Sequence, residues 1–105
     1  TDVSDPDYAT GRENRLRLEG MGLEVIEIDV LPEVVIDGQR ADVPPLNLYL
    51  ANGAAVVPVV DGPEGDAALA AVRGALPERE VIGVPGDVLA FGGGGIHCIT
   101  QQVPR

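Results

Sequence analysis

The sequence predicts a mixed α/β fold built on a strand-strand-helix-strand module, and three stretches carry that prediction. Residues 46–60, "LNLYLANGAAVVPVV", set two apolar runs around Asn52-Gly53, a strong hairpin signal. Residues 65–77, "GDAALAAVRGALP", repeat Leu69, Val72 and Leu76 at three- and four-residue spacing and close on Pro77, as a helix does. "EVIGVP" at 80–85 then reads as a short buried strand. A helix followed by a strand also precedes the hairpin. The chain therefore divides into the end of one unit with its crossover (1–45), a complete module (46–85), and the start of another (86–105). Incomplete modules leave apolar sheet edges, to be covered by self-association or by upstream modules.

In chain order, "SDPDYATGRENRLRLEG" at 4–20 predicts the first helix. Ser4 or Asp5 is placed to cap it, Pro6 suits the first helical position, and Gly20 supplies a stop. Glu13 and Arg17 are four apart and can pair on a solvated face. "LEVIEIDV" (23–30) alternates apolar and acidic residues well enough to predict a strand. Residues 31–45 hold three prolines and an Asp-Gly, which predicts a crossing loop. Pro58 points to an edge position or a bulge, and Asp66 to the cap of the second helix. "GDVLA" (86–90) reads as a turn or a single helical turn, and "IHCITQQVP" (96–104) as a closing strand.

Composition narrows the partners. The 105 residues carry seventeen acidic groups, seven arginines and no lysine, for a net charge of −10. Such a field repels phosphate backbones and anionic lipid, so nucleic acid and membrane surfaces are excluded as partners, while cationic ligands are favoured. No apolar run is long enough to span a bilayer, and no leader pattern opens the sequence. The single cysteine cannot form an internal disulfide, which fits a reducing, cytoplasmic setting. A first residue of Thr rather than Met suggests a fragment or a processed chain.

The chemistry concentrates in "GGGGIHCITQQ", 92–102, where four glycines run up to a histidine and the only cysteine. Glycine tolerates positive φ and close backbone approach, so N–H groups can converge there on a bound molecule. A thiolate is the nucleophile, and a cation or a bound cationic substrate is needed to favour it at neutral pH. On a strand His97 and Cys98 point to opposite faces, which makes His97 structural rather than a general base. One Cys beside one His does not make a four-ligand metal site, so no metal and no cofactor are expected.

This segment closely resembles the C-terminal active-site stretch of agmatine deiminases, in the family that also holds the bacterial peptidylarginine deiminases. "DPDY" (5–8), "NLYLANGAAVVP" (47–58) and "REVIGVP" (79–85) match the same family in the same order. The resemblance implies the pentein fold, a ring of five strand-strand-helix-strand modules, of which this chain would hold about two. It implies Cys98 as the catalytic nucleophile attacking a guanidinium carbon. It also implies Gly92, Gly93, Gly94 and Gly95 as the loop shaping the substrate pocket. The implied reaction is hydrolysis of agmatine to N-carbamoylputrescine and ammonia, a step toward putrescine, without a cofactor. The family's His-x-acid base and its carboxylate clamp are drawn from segments upstream of the matched region. No His-x-Asp or His-x-Glu occurs here, so none of the acidic residues is assigned a role, and the chain alone is expected to be catalytically incomplete. Pro45 and Leu48 stand where the family's hairpin begins with aromatic residues. Two other readings stand beside this one: a peptidylarginine deiminase, and a non-catalytic α/β remnant in which Cys98 is merely buried.

Overall fold

A computed structural model of the chain describes residues 3–104. Its centre is a three-stranded sheet of β3 (Tyr49–Ala51), β4 (Ala54–Val59) and β5 (Glu80–Pro85), in the order β3-β4-β5. β3 and β4 form the antiparallel hairpin read from the sequence, with Ala51 opposite Ala54. Gly53 has φ of 78° and Asn52 is not left-handed, so this turn is not the type I′ form. β4 then runs parallel to β5, and the crossover is α2 (Pro63–Ala75). Strand, strand, helix and strand therefore follow one another as the residue pattern predicts.

The core is small and aliphatic. Val57 and Ala55 of β4 pack with Val72 of α2 and Val81 of β5, flanked by Leu48, Val59, Leu69 and Leu76. Leu31, Val43 and Ala68 form a second cluster, and Ile28 touches both. Gly65 permits the close seating of α2: a Cβ there would lie 2.0 Å from the Val60 carbonyl oxygen. Pro63 occupies the first turn of α2, where its missing N–H costs nothing. The N-cap is Gly62, with φ of 123°, rather than Asp66, which lies in the first turn and still complements the dipole.

Pro58 corrects the expectation of an edge or a bulge, because it lies on the central strand, paired in register with Val84. The carbonyls of Gly53 and Val59 accept from Glu80 and Gly86, so odd-numbered residues of β4 turn their polar groups to β5. Pro58 therefore faces the other side, beyond the Tyr49–Val56 pair where the β3 ladder has ended. No donor is missing from a ladder, which is why a proline is tolerated there.

The first helix, α1 (Tyr8–Gly20), starts later than the sequence suggests, with Asp7 at the N-cap and Pro6 outside the helix. Asp5 accepts from the Asp7 N–H at 2.7 Å, which builds the turn ahead of the helix. The stop is Gly22 rather than Gly20. Its φ is 78°, its N–H bonds the Glu19 carbonyl, and the Leu23 N–H reaches back to Leu18, a Schellman ending. α1 buries none of its residues, and its Glu13–Arg17 and Arg15–Glu19 pairs are exposed.

Three further expectations fail. Residues 23–30 form no strand among the described residues, because a period-two pattern needs a partner edge and none is present. Residues 31–45 are not a featureless loop. Within them β1 (Val34–Ile36) and β2 (Gln39–Ala41) pair around Asp37 (φ 50°) and Gly38 (φ 76°), both left-handed as a type I′ turn requires. The segment from Ile96 is not a strand either. His97–Ile99 form a single 3-10 turn, and the chain then continues without pairing. "GDVLA" does become one helical turn, α3 (Asp87–Phe91).

Candidate active site

The glycine run is two structures rather than one. Gly92 and Gly93 end α3: the Gly93 N–H bonds Ala90 at 2.9 Å, the Gly94 N–H reaches Leu89 at 3.1 Å, and Gly93 has φ of 86°. This is a second Schellman ending, and it consumes N–H groups that residue pattern alone offers to a ligand. Gly94 and Gly95 carry the chain into the 3-10 turn. A Cβ on Gly94 would lie 3.3 Å from the Cys98 Cβ. A Cβ on Gly95 would lie 2.5 Å from Cγ of Asn47.

Asn47 is the site residue that sequence reasoning missed. It lies two residues before β3 and against the turn that carries the thiol. Its Oδ1 accepts from the His97 N–H at 2.9 Å, and its backbone carbonyl accepts from the same N–H at 3.2 Å. Because Oδ1 faces a donor, Nδ2 faces the sulfur, and it donates to Cys98 Sγ at 3.1 Å. The available signal was an asparagine inside the otherwise apolar run at 46–51, where a polar amide needs a reason.

Cys98 is exposed, a free thiol at the surface, which removes the reading of a buried structural cysteine. The amide donation from Asn47 holds its thiol below the ordinary value, helped by the backbone at Gly95 and opposed by partial desolvation. Hydrogen bonds to the charged form favour it, so the arrangement favours thiolate.

His97 does not bond the sulfur; the donor is Asn47. With a 3-10 turn at His97–Ile99 in place of a strand, strand alternation does not set His97 and Cys98 on opposite faces. In the 3-10 turn its backbone does the work: its N–H meets Asn47, and its carbonyl accepts from the Thr100 hydroxyl at 2.8 Å.

The cavities of about 300 and 310 Å³ lie elsewhere, between residues 26–31 and either α2 or α1. Neither is lined by Cys98 or by Gly92–Gly95. Among the described residues no group of three or more His, Cys, Asp or Glu could hold a metal ion, and no helix is long and apolar enough to cross a membrane.

An exposed thiol under an asparagine clamp at the end of a glycine loop narrows the comparison with known proteins. The family model of the Porphyromonas-type peptidyl-arginine deiminases matches residues 1–104. The chain belongs to that family. A Streptomyces avermitilis protein provisionally named agmatine deiminase is 41% identical over 86 residues, 82% of this chain and 25% of its own. A Listeria monocytogenes serotype 4b protein provisionally named agmatine deiminase 1 is 34% identical, across 99% of this chain and 35% of its own. Among solved structures, the agmatine deiminase of C. jejuni superposes with a TM-score of 0.82 at 22% identity, covering 93% of this chain and 30% of that one. The last likeness speaks to fold alone. Agmatine and peptidylarginine deiminases share the pentein fold, which the resemblance implied. The chain spans between a quarter and about a third of the length of the curated relatives it matches.

Proposed function

We propose that this chain carries the nucleophile of a guanidine-hydrolysing enzyme of the agmatine deiminase type, with Cys98 as that nucleophile and Asn47 as its positioning residue. The observation that carries the reading is the Asn47 Nδ2–Cys98 Sγ contact of 3.1 Å beneath an exposed thiol. The thiolate attacks the guanidinium carbon, forming a C–S bond and a tetrahedral centre. Proton transfer to one nitrogen lets ammonia leave, giving an S-alkylthiouronium. Water then adds to the same carbon, the C–S bond breaks, and thiolate and the ureido product separate. For agmatine that product is N-carbamoylputrescine, a step toward putrescine in the cytoplasm. A planar cation beside the sulfur also favours thiolate at the moment it is needed.

Gly94 and Gly95 shape the pocket floor by leaving room for Cys98 and Asn47, and Gly92 and Gly93 fix where the loop begins. The general base, the carboxylate clamp and the pocket walls come from modules outside these residues, or from another copy of the chain. The organisation proposed is a module end and crossover over 1–45, one module over 46–85, and the start of the last over 86–105, about two of five. The family description favours a second reading, in which the guanidinium belongs to a peptidyl arginine. Both share the carbon chemistry at Cys98 and differ in what closes the far end of the substrate channel.

The test is ammonia release by the 105-residue chain from agmatine and from an arginine-containing peptide, with Cys98→Ser as control. Iodoacetamide alkylation of Cys98 is followed in parallel, with and without each compound. Protection by agmatine but not by the peptide supports the first reading, and the reverse supports the second. A thiol no more reactive than a free cysteine, unprotected by either, would sink both.

A further inference from the structure

We infer that Asn52 is a site of spontaneous covalent modification, in which the Gly53 backbone nitrogen attacks the Asn52 side-chain carbonyl carbon and expels ammonia. The new C–N bond closes a succinimide. Water opens it at either carbonyl, leaving aspartate or isoaspartate, and each modified chain gains one negative charge. The balance needs only water, with no oxidant or co-reactant.

The chain has three asparagines, and their surroundings differ in the features this reaction requires. Asn47 has its side-chain amide bonded at both ends, to His97 N–H and to Cys98 Sγ, and is followed by the branched Leu48. Asn14 lies within α1, followed by Arg15, whose N–H is engaged by the helix and whose side chain crowds the approach. Asn52 is exposed at the tip of the β3–β4 hairpin. No hydrogen bond holds its side chain among the described residues. Its neighbour Gly53 commits its carbonyl to the Glu80 N–H at 2.9 Å, while its own N–H has no partner among the turn and loop hydrogen bonds. A Cβ on Gly53 would meet nothing within 4 Å, so the attacking nitrogen is hindered neither by its own residue nor by a neighbour. Together these leave one unbonded amide beside one unhindered nucleophile.

The consequence is local to the hairpin. An isoaspartate inserts one extra backbone carbon into a two-residue turn whose length sets the Ala51–Ala54 register. The formal net charge of −10 becomes −11, which separates modified from unmodified chain on an anion exchanger.

The test is incubation of the 105-residue chain in mildly alkaline buffer, followed by peptide mapping for a mass gain of about 1 Da and by an isoaspartate assay. Asn52 is expected to convert at least about tenfold faster than Asn14 or Asn47. The comparison is internal to the native chain and requires no variant. Conversion spread evenly over the three asparagines, or an Asn52 that survives natively while converting in urea, would overturn the inference. The ammonia released is stoichiometric and persists in Cys98→Ser without agmatine, so this result stands or falls apart from the guanidine reading.

Discussion

Two alanine substitutions in α2, chemically identical, should move stability in opposite directions. At Gly74 a Cβ would meet nothing within 4 Å, so Gly74→Ala carries only the helix-propensity gain, about 0.5–1 kcal/mol. At Gly65 the same atom would lie 2.0 Å from the Val60 carbonyl oxygen and 3.2 Å from its carbon. Ordinary contact is about 3.4 Å, so helix and strand end must part by about 1.4 Å, and the yielding group is backbone rather than a flexible side-chain tip. Overpacking of that kind costs about 1–3 kcal/mol, more than the propensity returned in a first helical turn. Gly65→Ala should therefore lose about 1–2 kcal/mol, and the two variants should stand about 2–3 kcal/mol apart. A domain of this size has about 5–15 kcal/mol in all, so the gap is large. Urea unfolding followed by circular dichroism should separate the two midpoints by about 1 M or more. A Gly65→Ala chain as stable as the parent, or both midpoints shifting the same way, would refute the close seating of α2 on β4.

The other predictions concern the core and the thiol. Val57 is fully buried among Ala55, Val72 and Val81, so Val57→Ala should cost about 2–3 kcal/mol by the same unfolding measurement. Alkylation of Cys98 should reach half its limiting rate at a lower pH in the folded chain than in urea, because the Asn47 donation is lost on unfolding. A folded-state thiol value below the unfolded one adds stability that is fully present above the unfolded value and lost as pH falls through the folded one. The parent should accordingly gain stability over Cys98→Ser as pH rises through that window. Asn47→Leu should move the alkylation profile of the folded chain up toward that of the unfolded one. An unchanged profile in a folded Asn47→Leu chain would remove the asparagine from its proposed role.

What could be read from residues alone was what neighbours along the chain decide. Asn52-Gly53 between apolar runs specifies a hairpin, the Leu69, Val72 and Leu76 spacing specifies one helix face, and "EVIGVP" is apolar enough to be a strand inside a sheet. These signals lie within a dozen residues, and local backbone preferences agree with burial. The failures share one cause. Residues 23–30 have a strand's alternation, but a strand exists only by pairing, and the partner edge is not among the described residues. "IHCITQQVP" is similarly apolar, yet Asn47 holds the His97 N–H and bends the chain into a 3-10 turn. Pro58 looked unfit for a central strand until the length of β3 showed that no donor was needed there. The site divides in the same way. Cys98 and its glycines were evident in eleven consecutive residues, 92–102, whereas the clamp on its sulfur comes from fifty-one positions earlier in the chain. Sequence alone marked Cys98 as the candidate nucleophile and determined the strand-strand-helix-strand order and the family. Only the tertiary structure could bring Asn47 to within 3.1 Å of the sulfur, because that contact depends on where β3 begins and α3 ends.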